Sequence, residues 1–423
     1  MRNSNGNDRY PRLRPVTKVE LSENNKKLRL VLAVVCLLIA AAALTYALTS
    51  ALNTDPGWQI IEATKDNANC ADDFVLNYCF LGEGAEATVS RRRLTTLYTE
   101  ATEKAYLLFN KDVQTELFAN VCTVNANVNQ QVTVDPALYR AFELLQQYHN
   151  RCVYLAPVYV EYNRMFLSAN EQEAAQYDPG QNPELMPYIA EIAAFANDPQ
   201  MIDIQLLGDN RVCLKVSEAY MAFAQEYEIQ QFLDFAWMKN AFIADYIADI
   251  LAQEGFTNGY LASYDGFTRN LDARGEDYTF NIFDRVEKNI FLPAKIHYAR
   301  PMALVFLRDY PLGESDSWHY FGFSNGRIAS VLIDPASGQN KSSVHNLVSY
   351  SEAFGCAEIL LKMAPIFIAD AFSAQQVAQL AKQQLYSVWC EERTVLYNEK
   401  DLRVDILDIS GEAPYGLMYA GDN

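Results

Sequence analysis

Apolar positions recur at two periods along this chain, and the stretch from Asp234 to Arg269 shows both in quick succession. Phe242, Ile243, Tyr246, Ile247, Ile250 and Leu251 repeat at helical spacing as far as Gly255, a residue suited to ending a helix at positive φ. A bend through Asn258-Gly259 leads into a short strand, Tyr260 to Ser263, that breaks at Asp265-Gly266. A glycine-bearing loop at the end of a strand is a usual place for a ligand contact.

The same patterns place elements elsewhere. Residues 74–80 read as a strand, and 90–110 as an amphipathic helix with Leu94, Leu97, Tyr98, Ala101, Ala105, Leu108 and Phe109 on one face. An extended piece at 132–135 leads into a helix over 137–149, with Pro136 at its start. Residues 170–187, rich in Gln, Asn, Glu and Pro, read as a loop or the edge of a helical excursion. Residues 201–207 and 211–216 form a strand pair across Gly208-Asp209-Asn210. Further strands are expected at 278–283, 303–307, 328–333 and 344–349, with helices over 353–369 and 374–385. Strands and helices intermingle without regular alternation, which predicts one α+β domain with a mixed sheet and surrounding helices.

One run stands apart. Leu30 to Leu52 is 23 residues without a charge, long enough to cross a bilayer with some tilt. A cleaved signal peptide is the competing reading, but the polar segment ahead is long and Thr49-Ser50-Ala51 makes a poor cleavage site. Residues 1–29 carry eight Lys/Arg against three acids, so the N-terminus is expected in the cytoplasm and the main domain outside it. The expected division is a basic cytoplasmic segment (1–29), a single-pass anchor in the plasma (inner) membrane (30–52), a juxtamembrane spacer (53–73) and an extracytoplasmic domain (74–423).

Removing the +5 of the first segment from the total of −19 leaves −24 on the remainder, which excludes nucleic acid as a partner. The seven cysteines beyond the apolar run show no CxxC spacing, so a zinc site is not expected. Outside the cytoplasm disulfides are the natural reading, with Cys70–Cys79 and Cys122–Cys152 as the guessed pairs. A lone sequon stands at Asn340-Lys341-Ser342.

From Ile333-Asp334-Pro335 and Ser337-Gly338 onward, the order of pieces resembles the FAD:protein FMN transferase family, the ApbE type. That family has an Asp-Pro-x-Thr-Gly block, then a strand and a helix opening Ala-Asp-Ala-Leu-Ala-Thr; here the helix opens Cys356-Ala357-Glu358. Asp234 and Asp245 stand at the separation of the two aspartates in its Asp-x-Gly-Gly-x-x-Lys-Gly-x-x-x-Asp motif. Gly255, Asn258 and Asp265-Gly266 echo its glycine pattern, and Thr115-Glu116 with Asn120 resembles its Ser-Glu loop. The resemblance covers roughly residues 74–385 and implies Mg²⁺-dependent transfer of FMN from FAD to a Thr of a target flavoprotein. It implies Asp245 as a catalytic residue and Asp234, Asn258, Asp265, Gly266, Asp334 and Glu116 as cofactor contacts, with Glu358 on the metal.

Several motif positions depart from that pattern. Glu358 replaces the metal-holding Asp, and Lys362 puts an ammonium where a Thr stood, a repulsion of about 1–4 kcal/mol toward a cation ~4 Å away. Val331 replaces a His, Ala236-Trp237 a double glycine, Asn240-Ala241 a Lys-Gly, and Phe306-Leu307-Arg308 a Thr-Ser-Gly. Bulky groups in phosphate-facing positions imply impaired transfer. The alternative is a non-catalytic relative that binds a flavin or a partner at the outer face of the membrane. Structural readings compete at each residue: Asp234 and Asp245 as helix caps or ion pairs, Asp334-Pro335 as a turn, Glu358 with Lys362 as a helical i,i+4 pair.

Overall fold

The computed structural model describes residues 31, 34–41, 43, 56–407 and 414–421. Residues 34–41 are helical, whereas the rest of the expected span and the basic segment before it lie outside the described residues. Among the described residues, no helix is long and apolar enough to cross a membrane. All that follows concerns the compact unit Asp55–Asn423.

A nine-stranded sheet organises that unit, and its strands lie side by side in chain order. They are β1 (Gly57–Ile61), β2 (Phe74–Phe80), β3 (Gly259–Ser263), β4 (Phe267–Asn270), β5 (Met302–Arg308), β6 (Asn346–Ser351), β7 (Tyr386–Glu391), β8 (Thr394–Tyr397) and β9 (Gly416–Tyr419). Neighbours are antiparallel except β8 and β9, so the sheet is mixed, as expected. The segment read as a spacer therefore supplies an edge strand, β1.

Side-chain alternation along β5 shows how the layers form. Ala303, Val305 and Leu307 join a core shared with helices, whereas Met302, Leu304 and Phe306 face the other way. The helical face is covered by α1 (Gly84–Leu108), α2 (Lys239–Gln253) and α3 (Cys356–Phe367), with α2 packed against both others. The opposite face meets a small antiparallel sheet of residues Tyr278–Val286, Asn289–Tyr298 and Arg403–Ile406, through Ile282, Ala294 and Ile296. A further three-stranded sheet (Gln131–Thr133, Ile202–Leu206, Arg211–Val216) sits among the helices inserted between β2 and β3.

Most expected elements are present, with shifted ends. The 328–333 strand stops at Ser330, because Asp334 and Asn340 turn the chain by bonding to its backbone and to each other's neighbours. The guessed disulfides do not form: every cysteine is a free thiol. Cys70 stands before the turn that leads into β2, while Cys79 lies near that strand's far end, and no bond joins them. Cys70 instead donates its thiol proton to the Thr102 carbonyl at 3.3 Å.

Candidate functional site

The break after β3 is built by a buried arginine. Gly266 sits at φ +113, where a Cβ would lie 2.5 Å from the Phe306 carbonyl, so only glycine lets the loop lie against β5. Arg308 donates to the carbonyls of Tyr264 (3.0 Å) and Asp265 (3.4 Å) and is ion-paired with Asp316. Position 308, read as a lost phosphate-facing glycine, thus acts as a strut for the loop.

Asp265 is carried inward by that strut. Its Oδ2 accepts from Asn240 Nδ2 at 2.9 Å, while Oδ1 and the Asn240 Oδ1 are buried without a partner. Burial pushes its pKa up to about 6, and the nearby Asp73 adds to the rise against the opposing pull of Ser263, Asn240 and Arg308. Both residues line a cavity of about 190 Å³. Aromatic rings wall it, among them Phe109, Tyr159, Tyr162 and Trp237, and Lys239 and Asp234 supply charge. Asp234 accepts from the Ala236 amide at 2.8 Å, capping the turn that carries Trp237 inward, and burial raises its pKa. Lys239, beside it, makes no ion-pair contact within 4 Å among the described residues.

The cavity also holds a histidine that its sequence context does not announce. His319 comes from a single 3-10 turn (Ser317–His319), and Val331, the position read as a lost His, donates its amide to the His319 carbonyl at 3.1 Å. Burial, with Arg308 and Lys239 nearby, lowers its pKa to about 3, so the ring is neutral at ordinary pH.

Asp245 lies elsewhere. Its two oxygens accept from the amides of Cys356 (2.8 Å) and Ala357 (2.9 Å), closing the N-terminus of α3, and Arg269 is ion-paired with it. A Cβ at Gly355 would meet its carboxyl at 2.5 Å. Glu358, one turn on, accepts from the Tyr148 hydroxyl at 2.7 Å. The Lys362 ammonium lies over the rings of Tyr148 (4.9 Å) and Phe354 (4.6 Å). Asp245 and Glu358 do share a second cavity of about 470 Å³ with Arg140, Asp249 and Arg269. Phe109 lines both cavities and packs on Phe235 (5.1 Å) and Phe242 (6.1 Å), so aromatic side chains stand between the two spaces.

The other expected contacts are scattered. Asp334 accepts from the Ala336 amide (3.0 Å) and the Ser337 hydroxyl (2.9 Å) as a turn former. Glu116 is exposed and lines neither cavity. Asn258 contributes its carbonyl to the Cys79 amide at 2.8 Å, extending the β2–β3 ladder.

Of the residues that the family resemblance puts at the magnesium and the reaction, Glu358 has one oxygen accepting from Tyr148 and Asp245 serves the end of α3. The carboxylate oxygens of Asp245 are engaged by two amides and a guanidinium. Among the described residues, no group of three or more His, Cys, Asp or Glu side chains could hold a metal ion.

Against known proteins, no family model matches and no curated protein matches. Solved structures do. The ApbE protein of Thermotoga maritima superposes with a TM-score of 0.53 at 12% identity, covering 83% of this chain and 97% of that one. A point mutant of the flavin transferase ApbE from Vibrio cholerae gives 0.45 at 11%, covering 79% and 93%. The apo flavinyl transferase ApbE of Pseudomonas stutzeri gives 0.43 at 12%, covering 84% and 95%. The chain has an ApbE-like fold, on the strength of the Thermotoga comparison.

Proposed function

We propose that this chain is a membrane-tethered, FMN-transferase-like protein whose transfer chemistry is impaired, and that it works by binding rather than by turnover. The ApbE-like fold supports the transferase-like part of that reading. The engagement of Asp245 carries the second: with two helix amides and an arginine on its oxygens, this carboxylate is held as a cap and counter-ion for α3 rather than left free to act on a substrate. The apolar run at 30–52 supports tethering, with the main domain outside the cytoplasm.

The test is incubation of the full, solubilised chain with FAD and Mg²⁺, together with a Thr-bearing flavoprotein acceptor. The expected result is no AMP and no FMN, free or protein-bound, above a blank. Release of AMP in proportion to enzyme would overturn the reading.

A further inference from the structure

The face of the nine-stranded sheet opposite the helices is covered only in part. The small antiparallel sheet packs on β5 to β8 through Ile282, Ala294 and Ile296, and no residue of β1, β2 or β3 joins that core. On those three strands Ile61, Leu76 and Leu261 lie in register and point into the helical core. Alternation therefore turns Trp58, Ile60, Val75, Asn77, Tyr260 and Ala262 to the other side, and none of these carries a charge. Trp58 is 44% and Ile60 59% exposed, at the edge of the sheet, and the other four are half-buried. Edge strands that face water are usually guarded by a charge or a proline, and Gly57-Trp58-Gln59-Ile60-Ile61 has neither. A strip of this kind marks a surface that meets a partner.

Chain length identifies the partner. The apolar run ends at Leu52 and β1 starts at Gly57, so the strip's own strand lies within about 18 Å of extended chain from the end of the proposed anchor. Ring content agrees, because Trp and Tyr concentrate where a bilayer meets water. The Trp58 and Tyr260 rings are 6.3 Å apart, with Tyr278 at 5.9 and 6.0 Å from them. The Arg274 guanidinium over Trp58 is paired with Asp272, so no net charge at this edge opposes the approach. We propose that the outer strip of β1, β2 and β3 rests on the bilayer surface, with Trp58 and Ile60 among the lipid headgroups. The proposal rests on the tethering in the proposed function and adds to it the face that meets the lipid.

The experiment reconstitutes the full chain into phosphatidylcholine vesicles, with or without lipid brominated near the headgroup end of its acyl chains, and reads tryptophan emission. Residues 1–57 contain no tryptophan, so the signal comes from Trp58, Trp237, Trp318 and Trp389, of which Trp237 and Trp389 are buried. Brominated lipid is expected to quench the emission. Trp58→Phe should lose most of that quenching, whereas Trp318→Phe, at the other exposed ring, should keep it. Ile60→Asp should weaken it too, with near-ultraviolet circular dichroism of each variant separating lost contact from lost folding. Release of the chain from the vesicles by alkaline carbonate would defeat the tether, and the strip's contact with it. Retention without quenching that depends on Trp58 overturns this inference and leaves the tether standing. Crosslinking of Ile60→Cys chains beyond that of the unmodified chain, undiminished by dilution in lipid, would assign the strip to a second copy and overturns it as well.

Discussion

At the scale of single residues, Asp265 and His319 are opposed titrating groups a short way apart in the same cavity. Asp265 is raised from 3.8 to about 6 by burial, so the folded state holds its proton more tightly, and its contribution to stability falls as pH rises from about 4 to 6. His319 is lowered from 6.5 to about 3, chiefly by burial, so the unfolded state takes the proton first and stability falls as pH drops through the same window. The two slopes cancel in the native chain. Asp73, Lys239 and Arg308, which face these groups, stay fixed in both substitutions. Relative to the native chain, Asp265→Asn should lose stability on acidification from pH 6 to 4 by about 1.4 kcal/mol per pH unit. His319→Gln should gain by about as much. Urea titrations at several pH values read both, and slopes of the same sign would refute the assignment. Asn340 gives a simpler prediction. Its amide donates to the Ser330 carbonyl (3.1 Å), the Ser330 hydroxyl (2.7 Å) and the Leu332 carbonyl (3.1 Å), so the sequon is spent inside the fold. Expression through a eukaryotic secretory route should give a chain of unglycosylated mass.

At the scale of elements, the junction of α2 and α3 decides what Asp245 is. Asp245→Ala removes two caps and leaves Arg269 only its longer contact with Asp249 at 3.6 Å, which should cost about 1–3 kcal/mol in urea unfolding. A purely catalytic aspartate would leave the midpoint unmoved. The sequence held this junction in a displaced form. Asp245 and Glu358 were singled out through two separate family motifs, and they do meet at one helix end, but spacing alone does not distinguish a cap from a metal ligand. The helix-glycine-strand unit from Asp234 to Arg269 was legible because it depends on local periodicity and on Gly255 and Gly266, both at positive φ. Strands β7 and β8 were not, because their tight turn uses Glu392 and Arg393 at φ 47 and 60, where Asn-Gly or Asp-Gly would have signalled a hairpin. His319 was illegible for a related reason: its position is set by the irregular chain after Arg308, which carries no period.

At the scale of the whole molecule, the proposed location and cysteine chemistry pull against one another. A domain outside the cytoplasm, as proposed, would be exposed to oxidants, yet all eight cysteines are free. Burial is what reconciles the two: Cys70, Cys79, Cys152, Cys213, Cys356 and Cys390 are buried, and burial pushes the thiols of Cys70 and Cys152 up to about 12. A thiol held so far above ambient pH is almost never a thiolate, and the thiolate is the reactive form. Stability should therefore come from the three-layer core and be indifferent to redox state. The melting temperature should be the same with and without a mild reductant, and chain denatured without reductant should titrate eight thiols with a disulfide reagent. A count of six or four would place disulfides in the folded chain and break the account. In the native state only the half-buried Cys122 should react at a measurable rate, Cys36 lying within the proposed membrane span, and a Cys122→Ser chain should then lose that phase.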